Sequence, residues 1–155
     1  MLKQAEIARR IPHQGRMCLL QRVVEWDENL VHCLATSHRD ADNPLRAHDR
    51  LGIACGIEYA AQAMAVHGVL LAEAQGAVHS RPRIGYLAGV RSVHFHASRL
   101  DDVAEDLTIR AERVMGDAGG VVYAFVITAG DRRLLDGRAT VILDASAAIP
   151  ALWSV

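Results

Sequence analysis

Hydrophobic residues follow two kinds of pattern along the chain, one long continuous run and several short alternating runs. The long run extends over residues 51–75, where seventeen of 25 residues are hydrophobic and three are glycine. A helix that is apolar on nearly every side is buried within a fold. Glu58, Gln62 and His67 lie inside the run and alanine supplies much of its apolar character, which argues against a membrane span. We therefore predict one long buried helix.

The alternating runs predict strands. Two of them, residues 16–25 and 30–38, are separated by a short polar segment and predict a hairpin in which Val31, Cys33 and Ala35 share one face. Four further runs cover residues 86–98, 105–114, 120–128 and 134–143. A turn signal, Ala129-Gly130-Asp131, separates the last two. In the final run the inward positions are Leu135, Gly137, Ala139, Val141 and Leu143.

These elements predict an α+β fold, in which a curved antiparallel sheet of about six strands wraps around one long central helix. The short connections favour antiparallel pairing, and no second long helix is present to cover the first. Such a sheet has open edges, so pairing with a second copy is expected. We predict one domain over residues 1–155. Its core covers about 11–143, with a short amphipathic helix within 1–10, a loop over 76–83 and a tail over 145–155.

Composition narrows the function without defining it. The chain has 155 residues, 23% of them charged, and a formal net charge of -1. Its arginines are scattered, which disfavours nucleic-acid binding. The first ten residues lack the apolar core of a signal peptide, so we expect a cytoplasmic protein whose three cysteines, Cys18, Cys33 and Cys55, are free thiols.

Glu58 is the residue with the clearest chemical interest. It is the only charged residue of the long run before Glu73, and burying a carboxylate is costly unless it is paired or used. Small residues share its side of the helix, namely Ala54, Cys55, Ala61 and Ala65. This stripe has two interpretations: close packing with Glu58 paired to an arginine, or a narrow apolar channel with an acid of raised pKa in its wall.

Other candidates lie outside the helix. His48 is in the polar loop before it, and a loop histidine is usually a solvent-exposed bystander. His94 and His96 point to one strand face, so metal binding is conceivable, but no third ligand clusters with them in sequence. His13 follows a proline in a turn, where local hydrogen bonding is its simplest role.

Three sequence blocks together resemble the hot-dog-fold 3-hydroxyacyl-[acyl-carrier-protein] dehydratases. They are Ile11-Pro12-His13 with the following Met17–Val23, the helix motif Gly56–Ala63 (GIEYAAQA), and Tyr86–Val90 with the later Phe95. The wording of the helix motif is most similar to the ApeP-like dehydratases of aryl polyene biosynthesis. The chain departs from the family pattern before the helix, where Leu51-Gly52-Ile53 stands in place of a Pro-Gly pair.

The resemblance implies a hydro-lyase without a cofactor that converts a carrier-bound 3-hydroxyacyl thioester into a trans-2-enoyl thioester. By analogy, Glu58 is the general acid and His48 the base, and the two come from different subunits of a dimer. Gln62 would belong to the substrate site, and a backbone N–H of Gly52 or Ile53 would hold the thioester oxygen. Implied partners are acyl carrier protein and a second subunit of the same chain.

Two other functions stay open on the sequence. A hot-dog thioesterase would use Glu58 to activate water or attack the thioester, and would release a free thiol. Alternatively, the chain is a weakly active or inactive subunit that completes a heterodimeric dehydratase.

Overall fold

One long helix packs against one face of a seven-stranded antiparallel sheet. The computed structural model describes residues 1–76, 86–117 and 119–142. Its helices are α1 (Gln4–Ala8) and α2 (Gly56–Ala74). Its strands are β1 (Leu2–Lys3), β2 (Arg22–Trp26), β3 (Leu30–Ala35), β4 (Tyr86–Phe95), β5 (Leu107–Gly116), β6 (Gly120–Ala129) and β7 (Arg132–Ile142). The strand order across the sheet is β1-β2-β3-β5-β6-β7-β4, so β1 and β4 form the edges.

Alternation along the strands separates a core face from an outer face, as predicted. Val31, Cys33 and Ala35 of β3 are buried, and so are the predicted inward residues of β7 up to Val141. Gly130, with a φ of 56°, makes the predicted turn between β6 and β7. The predictions for Leu143, for the tail and for residues 77–83 of the loop lie outside the described residues.

The buried side of α2 carries Tyr59, Ala63, Val66 and Leu70, a spacing that keeps one helical stripe on the sheet. The segment Ile53–Ala74 is long and apolar enough to cross a membrane by composition, but 56% of its apolar 18-residue window is buried within the protein. This is the behaviour of a core helix. The small-residue stripe lies on the other side: Ala54 is exposed, and Cys55, Ala61 and Ala65 are half-buried.

The helix begins later than predicted. Leu51 accepts a hydrogen bond from the Leu100 N–H at 2.8 Å, and Ile53 donates to the Ser98 carbonyl at 3.1 Å. This pairing keeps residues 51–53 extended, and a 3₁₀ turn, Ile53–Cys55, precedes α2. Glu58 consequently lies in the first turn of α2.

The first ten residues also differ from the prediction. Leu2 and Lys3 pair with Val23 and Arg22 of β2, so the amphipathic helix shortens to α1. The first strand of the predicted hairpin is shorter as well, because a 3₁₀ turn, Gly15–Met17, replaces its beginning.

Candidate active site

Glu58 lies at the edge of the core. Its side chain is 34% exposed in the protomer, because the small-residue side of α2 is not covered by the sheet. The expectation of a deeply buried carboxylate is therefore wrong for the protomer alone. The arginine partner that the close-packing interpretation required is also absent among the described residues, and a histidine takes its place.

The histidine beside Glu58 is His13. Its Nε2 lies 3.0 Å from Glu58 Oε1, and the imidazole is about a quarter exposed. The other ring nitrogen, Nδ1, is shielded from solvent and has no hydrogen-bond partner in the part of the chain that the structure describes. Glu58 is thus the group that orients this ring. An imidazole in contact with a carboxylic acid can take up a proton while the acid releases one.

Gln62 holds the segment that carries His13 against the helix. Its side-chain oxygen accepts the Leu19 N–H at 2.9 Å, and its amide nitrogen donates to the Met17 carbonyl at 2.7 Å. The same nitrogen lies 3.3 Å from Glu58 Oε1. Gln62 is fully buried, so its amide is saturated by the protein itself. These contacts suit a positioning role, whereas a direct contact with substrate would require one of them to break.

We refer to residues 4–19, which lie along α2, as the N-terminal arm. Arg10 forms an ion pair with Glu73 near the end of α2, at 3.1 Å. Within the arm, Gln14 donates to the Ala8 carbonyl at 2.7 Å, and Gln4 donates to the Cys18 carbonyl at 3.1 Å. The arm is therefore fixed to α2 at several points along the helix and is braced internally on both sides of His13.

A buried polar network binds the end of the arm at Leu19. The Ser37 hydroxyl donates to the Leu19 carbonyl at 2.7 Å and lies 2.8 Å from the Tyr59 hydroxyl. Asn43 donates to the Tyr59 oxygen at 3.1 Å and to the Ser37 carbonyl at 2.9 Å. Burial raises the pKa of Tyr59, so this phenol stays protonated and neutral. The network connects the arm, α2 and the loop that leads to His48.

His48 is not brought to Glu58 within the protomer. It is exposed and lies in a tight turn in which Ala47 and Arg50 exchange backbone hydrogen bonds. The φ angles of His48 and Asp49 are 52° and 59°, the geometry of a type I′ turn. A meeting of His48 with Glu58 of another subunit remains a prediction.

The two proposed thioester-binding amides differ in availability. The Ile53 N–H is already donated to Ser98. The Gly52 N–H has no acceptor within the described residues, and Gly52 is half-buried. Of the pair, Gly52 is therefore the amide that is free to bind an oxygen. Its role also remains a prediction.

His94 and His96 belong to a separate cluster on the outer face of the sheet. His94 Nδ1 lies 3.2 Å from one oxygen of Asp136, and His96 Nε2 lies 2.8 Å from the other. A cavity of about 360 Å³ adjoins this cluster, and neither Glu58 nor His13 lines it. No group of three or more His, Cys, Asp or Glu side chains among residues 1–76, 86–117 and 119–142 is arranged as a metal site.

Sequence reasoning assigned His13 only a local role. The signal that could have found it is the block Ile11-Pro12-His13 with Met17–Val23, which carried the family resemblance. The segment that Gln62 binds belongs to the same block. Two parts of one family pattern, the arm and the helix motif, meet in the structure at Glu58.

A long helix against an antiparallel sheet, with a carboxylate and an imidazole in contact at the helix start, defines a hot-dog-fold protein. The sequence profile of the ApeP-like family, described as ApeP dehydratase, matches residues 5–149. The chain belongs to this family of dehydratases, which confirms the resemblance and the fold predicted from the sequence.

Solved structures agree on the fold. The dehydratase heterocomplex ApeI:P from Xenorhabdus doucetiae is similar with a TM-score of 0.81 and 24% identity, over 94% of this chain and 95% of that one. A hypothetical thioesterase with coenzyme A from Streptococcus pneumoniae TIGR4 is similar with a TM-score of 0.56 and 14% identity, over 79% of this chain and 84% of that one. The PaaI protein from the E. coli phenylacetic acid degradation operon is similar with a TM-score of 0.55 and 14% identity, over 77% of this chain and 80% of that one. No curated protein sequence matches the chain.

Proposed function

We propose that this dehydratase removes water from 3-hydroxyacyl thioesters carried on an acyl carrier protein, and that His13 and Glu58 perform the proton transfers. The observation that carries the proposal is their contact at 3.0 Å. Dehydration of a 3-hydroxyacyl thioester needs one group that accepts the C2 proton and one that protonates the leaving hydroxyl. An imidazole and a carboxyl group on one side of a helix provide both.

In the proposed cycle the substrate inserts between His13, which accepts a proton, and Glu58, which donates one. The C2–H bond breaks with its proton passing to His13 Nε2, and the electron pair forms the C2=C3 double bond. The C3–O bond breaks, and the hydroxyl leaves as water with the proton from Glu58. When the product departs, the contact re-forms and the proton returns from Nε2 to Oε1. The pair is then ready for another turnover with no net gain or loss of protons.

The thioester oxygen gains negative charge when the C2 proton leaves, so a donor aimed at it lowers the barrier. The free Gly52 N–H, just before the 3₁₀ turn and α2, is our candidate for that donor. The positive end of the α2 dipole lies nearby and acts in the same direction.

The origin of the substrate, the cellular location and the assembly of the protein are proposed from the similarity to the family. We propose a substrate from fatty-acid-like or aryl polyene biosynthesis, a cytoplasmic location, and assembly as a homodimer or with a second hot-dog subunit. The similarity to the dehydratase heterocomplex ApeI:P supports assembly with a second hot-dog subunit. Edge strand β4 supports either form, because its backbone on one side has no strand partner within the described residues.

The test is the formation of 2-enoyl thioester from a 3-hydroxyacyl thioester of acyl carrier protein, followed by its conjugation absorbance. Glu58→Gln and His13→Gln should each lower the rate about 10²–10⁴-fold. Glu73→Gln serves as the control, because Glu73 pairs with Arg10 away from Glu58. His48→Gln measures the alternative assignment of the base. Full activity of Glu58→Gln would overturn the proposal.

A thiol reagent in the same assay separates the competing functions. Dehydration keeps the thioester intact, whereas a thioesterase releases thiol. An inactive partner subunit would give neither signal alone, and activity would appear only on mixing with a second hot-dog protein.

A further inference from the structure

We propose that Asp101 is a positioning residue for the Gly52 N–H, the candidate donor to the thioester oxygen. Its carboxylate fixes the backbone just before α2, so that this N–H is left free and held in one direction. The proposal rests on the proposed function and adds a residue that no sequence pattern indicated. It concerns only the start of α2 and does not depend on which subunit supplies the base.

Gly52 lies opposite Arg99 in a short antiparallel pairing. The two backbone hydrogen bonds of this pairing are made by its neighbours, Leu51 and Ile53, at 2.8 and 3.1 Å. Gly52 is therefore the residue of a non-hydrogen-bonded pair, whose own N–H and C=O point away from the opposite strand. Its carbonyl accepts the Cys55 N–H at 3.0 Å, in the 3₁₀ turn before α2. The Gly52 N–H consequently lies on the side away from Arg99.

The Asp101 carboxylate closes this pairing at the Leu51 end. Its Oδ1 accepts the Leu51 N–H at 2.9 Å. Arg99 binds both oxygens of the same carboxylate, with Nε 2.9 Å from Oδ1 and Nη2 in contact with Oδ2. The Asp101 side chain is only 7% exposed, and the bonds from Arg99 lower its pKa. A bidentate arginine fixes the orientation of a carboxylate, so the acceptor of the Leu51 N–H is charged and held in place.

The local sequence does not by itself hold Gly52 in this conformation. Its φ of −64° and ψ of 153° are an ordinary extended conformation, and Leu51 and Ile53 are as apolar as α2. If the helix began at Leu51 instead, the Gly52 N–H would turn along the helix axis. Leu51 makes one backbone hydrogen bond to the opposite strand, and Asp101 supplies the other. Loss of Asp101 would therefore release the first residue of the pairing and the direction of the Gly52 N–H.

This fixed direction matters for catalysis because a donor stabilises an oxyanion best when it is in place before the charge develops. The backbone at Gly52 is also open to approach: a Cβ built there would meet nothing within 4 Å among the described residues. A thioester can thus come close to the N–H. The rate of C2 proton removal would then depend on a carboxylate that transfers no proton itself.

Three variants test the proposal. Asp101→Ala removes the acceptor of the Leu51 N–H, whereas Asp101→Asn keeps an oxygen in its place. Asp106→Ala is the matched control, because Asp106 also pairs with an arginine, Arg39, at 2.8 Å. For each protein we would measure kcat, KM and the melting temperature. We would also measure the infrared C=O stretch of a bound 2-enoyl thioester labelled with ¹³C at the thioester carbonyl, since a hydrogen bond to this oxygen lowers the frequency.

Asp101→Ala should lower kcat about 10²–10³-fold, the loss expected when one oxyanion donor is removed, with a smaller change in KM. The downward shift of the C=O stretch on binding to the wild type should be lost in Asp101→Ala and kept in Asp101→Asn. Asp106→Ala should keep both kcat and the shift. A purely structural Asp101 would change the melting temperature but leave the shift and kcat of the folded protein unaltered, and that result would overturn the proposal.

A second variant covers the case in which Asp101→Ala does not fold. Arg99→Gln leaves Asp101 in place and removes the group that orients it. A smaller shift and a lower kcat would support the proposal, and unchanged values of both would overturn it. An active wild type that causes no shift of the C=O stretch would also overturn it. Wild-type protein without dehydratase activity, or full activity of Glu58→Gln, would instead overturn the proposed function.

Discussion

The side chain of Gln62 accepts the backbone N–H of Leu19 at 2.9 Å, so a residue in the middle of α2 fixes the arm that carries His13. This bond joins two distant parts of the sequence at a fully buried point. The position of the proposed base therefore depends on one amide side chain that does not itself transfer protons.

Replacing Gln62 with methionine should destabilise the fold by about 2–4 kcal/mol, because the Leu19 N–H and the Met17 carbonyl lose their partners in a buried position. Activity should fall as well, since the arm is released from α2. Urea unfolding measures the first effect. Gln75→Met, at an exposed position past the end of the helix, is the control and should change stability by less than about 0.5 kcal/mol. Equal unfolding midpoints for the two variants would contradict the prediction.

Acid should destabilise the protein through His67. This buried imidazole has Nε2 2.8 Å from the Asp27 carbonyl oxygen and Nδ1 2.8 Å from the Tyr123 hydroxyl. Nε2 must therefore donate and Nδ1 accept, and burial lowers the pKa of His67. The unfolded chain takes up a proton near pH 6.5, whereas the folded one does so only at lower pH. The free energy of unfolding should thus decrease as the pH falls below about 6.5.

Urea unfolding at several pH values between about 7.5 and 5.5 measures this slope. His38 should contribute in the same direction, because burial also lowers its pKa. His67→Gln should flatten the slope, whereas His48→Gln, at an exposed position, should leave it unchanged. A slope that His67→Gln does not alter would refute the assignment.

Two glycines should respond to alanine in opposite ways. A Cβ at Gly137 would lie 3.0 Å from Val93 Cγ2 and 3.1 Å from Phe125 Cζ, whereas one at Gly68 in α2 would meet nothing within 4 Å. Gly137→Ala should therefore lower the free energy of unfolding by about 1–3 kcal/mol. Gly68→Ala should raise the free energy of unfolding by about 0.5–1 kcal/mol, because alanine has the better helix propensity. Melting temperatures that move in the same direction would contradict this contrast.

The turn at Asp49 should favour glycine over alanine. Its φ of 59° is costly for an alanine side chain and free of strain for glycine. We expect Asp49→Gly to be more stable than Asp49→Ala by about 1 kcal/mol. If the base is His13, neither substitution changes dehydration. A loss of activity parallel to the loss of turn stability would indicate that His48 takes part in the reaction.

The strands and the long helix could be predicted because each depends on a local period. Val31, Cys33 and Ala35 recur at every second position of β3 and are buried, and the apolar run of α2 has no competing interpretation as a strand. The start of α2 could not be predicted in the same way. Leu51 and Ile53 are as apolar as the helix itself, and only their pairing with residues 98–100 keeps them extended.

The candidate site was predicted in part. The helix motif identified Glu58, whose role is still a proposal. The exposure of Glu58 was missed, because the pattern of α2 does not show which side the sheet leaves uncovered. The contact with His13 was missed because it depends on where the N-terminal arm is bound, and no local spacing encodes a contact between such distant segments.

Strand β4 has a consequence for how the sheet opens. It pairs only with β7 and is exposed along nearly its whole length, whereas β5 and β6 lie inside the sheet and contact α2. Local opening is cheapest where few contacts must break. Backbone amides should therefore exchange with deuterium fastest at β4 and slowest at β5 and β6. When a partner covers β4, its slowed exchange would report assembly residue by residue, even where activity is unchanged.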